Sequence, residues 1–167
     1  MKTIFLTALF ITLGILGKAQ SNPVDELFNK YSEKEGFTVV TISGKMFNMF
    51  APQQDGGSAE GKVISKLNSI RILSVEDSVL NSKMNFYSEL SKKLDFSAFE
   101  ELMVVKEGQD ITKFLIRQKG DIISELLVIT GGPGGNSLIS IQGNLDMKSL
   151  SDISRQIGIE ELDQIEK

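Results

Sequence analysis

The segment from residue 99 to residue 143 constrains the fold of this chain more than any other. Four strand-like runs, 99–106, 111–118, 122–130 and 137–143, follow one another with only the turn signals KEGQD, RQKGD and TGGPGGN between them. That spacing predicts an antiparallel meander. Upstream, helical and extended patterns alternate. NPVDELFNKYSEKEG (22–36) predicts a helix capped by Asn22, with Val24, Leu27, Phe28 and Tyr31 on one face and Gly36 as its stop. FTVVTIS (37–43) and SIRILSVE (69–76) read as strands, and KMFNMFAP (45–52) as a helical turn ended by Pro52. QQDGGSAEG (53–61) reads as a loop. Asp77 or Ser78 caps a predicted helix over 79–95, with Leu80, Met84, Tyr87, Leu90 and Leu94 at helical spacing, and a last helix starts near Met147. The expected class is α+β: a mainly antiparallel sheet ending in a four-stranded meander, with helices packed on one face.

The first nineteen residues stand apart. Lys2, an apolar run from Ile4 to Leu16 and the small residues Gly17 and Ala19 have the layout of a cleaved signal peptide. The run is short for the about 20 residues a membrane-spanning helix needs. The expectation is therefore a signal over 1–19 and a single domain over 20–167, exported to the periplasm or beyond. No stable span is expected after cleavage. A lipoprotein anchor needs a cysteine, and the chain has none.

Absent residue types narrow the chemistry. With no histidine and no cysteine, Ser-His-Asp and Cys-His mechanisms fall away, as does ordinary zinc, haem or iron–sulfur ligation. The expected cofactor is none. Signal cleavage removes two lysines and no acid, moving the net charge from −4 to −6, so nucleic acid is not an expected partner.

Two glycine-rich stretches imitate nucleotide loops. In VITGGPGGNSLIS (128–140) the residues after the glycines alternate as a half-buried strand, whereas a dinucleotide loop leads into a helix. That stretch predicts a hairpin whose glycines supply permissive backbone angles. In GGSAEGKV, Gly56, Gly61 and Lys62 meet the phosphate-loop spacing, but Val63 replaces the magnesium-binding hydroxyl. No nucleotide is expected. Carboxylates are the remaining catalytic candidates, in the adjacent pairs Glu76-Asp77, Glu100-Glu101 and Glu160-Glu161, and Asp77 is more simply a helix cap.

Pairing the meander assigns its faces. Turns at Lys119-Gly120 and Gly108-Gln109 set Phe114 opposite Glu125, Val105 opposite Thr112 and Met103 opposite Phe114, and the glycine loop sets Leu127 opposite Ile139. Met103, Val105, Phe114, Ile116, Ile123, Leu127, Ile129, Ile139 and Ile141 then form the helix-covered core face, with Glu125 tolerable only near an edge. The opposite face collects Leu102, Val104, Lys113, Leu115, Arg117, Leu126, Val128 and Leu138, with Glu100, Lys106, Ser124, Ser140 and Gln142 among them. An apolar centre with polar surroundings is the pattern of a partner site, and a covering helix or loop is the alternative.

The blocks FTVVTISGKMFNMFA, SIRILSVED, FEELMVVKEGQDITKFLIRQKGDIISELLVITGG and LISIQGNLDMKSLSDIS, with the signal ending KAQ, resemble domain-of-unknown-function family 4252, exported proteins of Bacteroidetes. The resemblance spans nearly the whole mature chain and rests on strand patterns and turns. It implies an envelope location and one compact domain, and it carries over no catalytic or binding residues. The function stays unknown at this stage. The leading expectation is a non-enzymatic binding or regulatory module of the cell envelope that uses an open sheet face to meet an envelope protein or a small apolar ligand. The alternative is a carboxylate-only hydrolase acting on envelope or extracellular substrates.

Overall fold

The computed structural model describes residues 22–50 and 65–150. The loop 53–61 with Lys62, the predicted signal, and Glu160-Glu161 lie outside the described residues. Six strands form one antiparallel sheet: β1 Phe37–Ser43, β2 Leu67–Val75, β3 Glu100–Glu107, β4 Asp110–Lys119, β5 Ile122–Gly131 and β6 Ser137–Leu145. Their spatial order is β1-β2-β6-β5-β4-β3. The expected meander is β3 to β6, and β1 and β2 extend it past β6. Two of its turns are two-residue hairpins, Gly108-Gln109 and Gly120-Asp121, each with a glycine at positive φ (60° and 61°) in the first central position. That conformation is nearly closed to other residues and matches the twist of the flanking strands.

Helix α1, Pro23–Tyr31, is capped as expected: Asn22 Oδ1 accepts the Val24 N–H at 3.0 Å. Its four apolar residues, Val24, Leu27, Phe28 and Tyr31, are all buried. α2, Gly44–Phe50, follows β1 directly. The single helix expected over 79–95 is instead two short ones, α3 Ser78–Asn81 and α4 Phe86–Leu90. Asn85 is extended (φ −154°) and caps α4 by accepting the Ser88 N–H at 2.7 Å. A 3₁₀ turn, Phe96–Ala98, then leads to β3, and residues 147–150 are helical. No helix among the described residues is long and apolar enough to cross a membrane.

Both sheet faces are core. Against one face α1 and α4 bury Val24, Leu27, Phe28, Tyr31, Phe86 and Leu90 on Leu73, Leu115, Leu127, Ile129 and Leu138. Tyr31, Phe37 and Phe86 stack there, with centroids 4.5 Å and 5.4 Å from Tyr31. On the other face Phe114, Ile116, Ile123, Leu126, Val128 and Ile141 form a second cluster, joined by Phe47 of α2 and by Leu150. One-sided helix packing is thus corrected: helical segments lie on both faces. The cause is local, since α2 leaves β1, and 147–150 leave β6, toward the side away from α1.

Candidate binding surface

The eight residues assigned to one sheet face do not share it. From Met103 to the turn the β3–β4 register is as expected, with Met103 opposite Phe114 and Val105 opposite Thr112. Along β5 the faces swap. The turn is Gly120-Asp121 rather than Lys119-Gly120, so Lys119 pairs with Ile122; a bulge then leaves Ser124 unpaired, so Arg117 meets Glu125 and Phe114 meets Val128. One extra residue reverses every side chain beyond it. The Ser124 hydroxyl donates to the Arg117 carbonyl at 3.0 Å and holds the bulge. Toward β6, Leu127 faces Ser140 rather than Ile139.

In consequence Leu126 and Val128 join the Phe114 cluster, a second bulge that leaves Leu102 unpaired between Glu101 and Met103 sends Leu102 there as well, and Leu115 and Leu138 lie under α1 and α4. Val104 and Lys113 pair with each other on the helix-bearing side, and Arg117 lies two residues beyond Leu115 on the same side. Leu115, Leu126, Val128 and Leu138 are buried, at 0–4% exposure. An open face built on them is therefore corrected: helices cover half of it, and the bulges of β3 and β5 turn Leu102, Leu126 and Val128 to the other cluster.

The part of the helix-bearing face beyond the α1–α4 cluster is polar. Glu125, 5% exposed, sits on interior strand β5 rather than near an edge. Its carboxylate accepts from Ser140 Oγ at 3.0 Å and Gln142 Nε2 at 3.4 Å, with Arg117 Nε at 3.7 Å. The Arg117 guanidinium lies 4.4 Å from the Phe99 ring centroid. Arg71 lies 3.9 Å over the Phe28 ring and is bonded to Asp25. A buried carboxylate is costly unless partnered, and these bonds hold Glu125 in place instead of leaving it free to react. The two carboxylate pairs within the described residues are similarly engaged. Asp77 accepts the Leu80 N–H at 2.8 Å, Glu76 accepts from Ser74, Glu101 is bonded to Lys113, and Glu100 accepts from Gln118.

Two open concavities flank α4. The larger, about 570 Å³, collects Lys30 from α1, Lys83 from the α3–α4 link, and Lys92 and Lys93 beyond α4. Its one carboxylate, Glu89, is bound by Lys30 Nζ at 2.5 Å and Tyr31 OH at 2.8 Å. Burial alone would raise the Glu89 pKa, but those two bonds outweigh it and hold the carboxyl below its ordinary value. The same Glu89 bond raises Lys30, and burial raises Tyr31. Lys93 is paired with Glu26 at 2.7 Å. Lys83 and Lys92 have no ion-pair partner among the described residues. On the other side of α4, a groove of about 430 Å³ holds Val104 and Lys113 with Tyr87, Glu101, Lys106 and Ile111. The Glu101 hydrogen bond raises the Lys113 pKa, and its ammonium lies 5.5 Å from the Tyr87 ring centroid.

The residue that positions α4 is Asn136, which the sequence did not single out. Buried at 3% exposure, it accepts the Phe86 N–H at 2.8 Å. Its amide donates to Asn81 Oδ1 at 3.1 Å and to the Gly132 carbonyl at 2.9 Å. Asn136 thereby fills the break between α3 and α4. The hairpin reading of its glycine loop holds, but the reason differs: none of Gly131–Gly135 has positive φ. A Cβ at Gly131 would collide with Asn85 and Tyr87, and one at Gly132 with Asp110. Close approach, not backbone freedom, requires glycine at these two positions. The available signal was an asparagine closing a glycine-rich loop, a common turn residue.

A family model, a domain of unknown function designated DUF4252, matches residues 31–153. The chain belongs to this family. No curated protein and no solved structure is detectably similar to it. The span matched by DUF4252 begins at Tyr31 and takes in the whole sheet, α4 and the Asn136 loop, while Lys30 lies just before it.

Proposed function

We propose that this DUF4252 domain is a non-enzymatic binding module of the cell envelope that receives an acidic segment of an envelope protein beside α4. The observation that carries this reading is the convergence of Lys30, Lys83, Lys92 and Lys93 on one open concavity with a single, already bonded carboxylate, in a chain of net charge −4. Fixed like charges in a concave surface raise the local concentration of the opposite charge. Val104 and Lys113 belong to the same reading as the part of the predicted sheet face that solvent reaches, with Tyr87 as an aromatic platform. The engaged carboxylates support binding over carboxylate hydrolysis, and the lysine lining favours an acidic partner over a small apolar ligand.

Titration with poly-glutamate tests it. Saturable binding that weakens with salt is expected, together with its loss in the double variant Lys83→Glu, Lys92→Glu, whose thermal transition should stay near that of the parent. No binding, or binding indifferent to the double change, overturns the proposal. Export with removal of residues 1–19 is part of it, supported by Lys2, the Ile4–Leu16 run and the Gly17-Lys18-Ala19 spacing. The intact mass of the exported protein should begin at Gln20. A mature form that retains Met1 contradicts that part.

A further inference from the structure

The two edges of the sheet are built differently. β3 carries Glu100, Glu101, Lys106 and Glu107 and a bulge between Glu101 and Met103. Charge and bulges are the features that keep an open edge from pairing with another chain. β1 has neither. Its seven residues, FTVVTIS, include no charge and no proline and run in unbroken register against β2. Among the described residues nothing pairs with its outer side, and Thr38, Val40 and Thr41 are exposed.

The backbone bonds show which groups point outward. The Glu76 N–H donates to the Gly36 carbonyl at 3.1 Å, and the Val75 N–H donates to Asn136 on the β6 side at 3.1 Å. Even-numbered residues of β1 therefore bond inward to β2. By the alternation of an antiparallel ladder, Phe37, Val39, Thr41 and Ser43 turn their N–H and C=O groups to the open edge.

We propose that β1 joins two copies of this chain through antiparallel β1–β1 pairing about a two-fold axis at Val40. Phe37 then stands opposite the partner's Ser43, Val39 opposite the partner's Thr41, and Val40 opposite the partner's Val40. All outward groups find partners. A neutral strand is also the place where two acidic molecules, each of net charge −6 without residues 1–19, meet without opposing like charges. Assembly closes at two, because the outer edges of the joined sheet are the two charged, bulged β3 strands. A seven-residue ladder is smaller than a standard stable interface, so the dimer should be concentration-dependent, dissociating at about 1–100 μM.

Sedimentation velocity of the chain lacking residues 1–19, over about 1 μM to 1 mM, should show a mass rising from one copy to two, without larger species. Val40→Lys sets two ammonium groups face to face on the axis, and Thr41→Pro removes an outward N–H without touching the β1–β2 bonds. Both variants should stay monomeric throughout while keeping a cooperative thermal transition. Val105→Lys, on the other edge, should dimerise like the parent. In hydrogen exchange the Val39 and Thr41 amides should gain protection as concentration rises, and Lys106 should not. A parent that is monomeric at every concentration, a dimer that survives both β1 variants, or exchange protection indifferent to concentration would each overturn the proposal.

Discussion

The two faces of the sheet bury comparable apolar clusters, yet they are assembled by different means. The face carrying Phe114, Leu126 and Ile141 is apolar across its centre and is covered by α2 and residues 147–150, segments that continue directly from the strands they cover. The face carrying Leu115, Leu127 and Leu138 is half apolar and half polar, and its cover depends on Asn136, which lies fifty residues from the Phe86 amide it accepts from. One face is closed by chain continuity. The other is closed by long-range hydrogen bonds, and those same bonds hold α4 between Lys83 and the Lys92-Lys93 pair.

The largest test of this comparison replaces one residue on each face. Phe114→Asp and Leu115→Asp each put an unpartnered carboxylate into a site at 1–2% exposure, and each should cost more than about 4 kcal/mol, enough to abolish cooperative thermal unfolding. A cooperative transition retained by either variant would show that its face is not core. Asn136→Ala comes next. It leaves the Phe86 N–H without its acceptor and should cost about 2–3 kcal/mol by denaturant titration, with faster amide exchange in α4 and little change in β3. Uniform loosening of both faces would break the distinction drawn here. Glu125→Ala tests the polar half of the helix-bearing face. It strips Ser140 and Gln142 of their shared acceptor and should cost about 1–2 kcal/mol, with the aromatic stack at Tyr31 intact by near-ultraviolet circular dichroism.

The smallest effect is on pH dependence. Glu89 on the helix-bearing face and Asp146 on the other are both held below the ordinary carboxylate range. Burial opposes the shift at Glu89, where the Lys30 and Tyr31 bonds win. At Asp146 the Lys66 bond is the leading cause, followed by the Ser149 bonds. A carboxyl whose folded pKa is depressed adds stability above its unfolded pKa and loses it as pH falls through the folded value. Both contributions should therefore be present at neutral pH and fade in acid, below about pH 4.5. Because the groups are solvent-screened, Glu89→Gln should flatten the acid limb by less than about 1 kcal/mol. An acid limb unchanged by both Glu89→Gln and Asp146→Asn would mean that these ion pairs tie down neither face.

Much of the architecture was legible in local patterns. The six strands, the Asn22 cap and the four buried residues of α1 follow from alternation, turn residues and helical spacing, which act over a few neighbours. The β3–β4 register was readable because Gly108-Gln109 is an unbroken two-residue turn. The β5 register was not, because the glycine at 120 takes the first rather than the second place of its turn, and a serine at 124 does not announce that it will be left out of a ladder. The break between α3 and α4 was hidden for a related reason. Leu80, Met84, Tyr87 and Leu90 keep helical spacing across it, and the group that fills it comes from the loop between β5 and β6.

By itself the sequence determined the class of the fold, the order and extent of its strands, and the absence of histidine and cysteine chemistry, since these depend on composition and short-range periodicity. Only the tertiary structure decided which apolar residues share a face, how Glu125 is tolerated at the centre of the sheet, and where the lysines of three separate segments meet. The centre of β5, LLVI (126–129), is apolar at consecutive positions, so either face could have been the inner one. When both sides of a strand are buried, alternation loses its meaning, and a single bulge chooses between two patterns that the residues satisfy equally well.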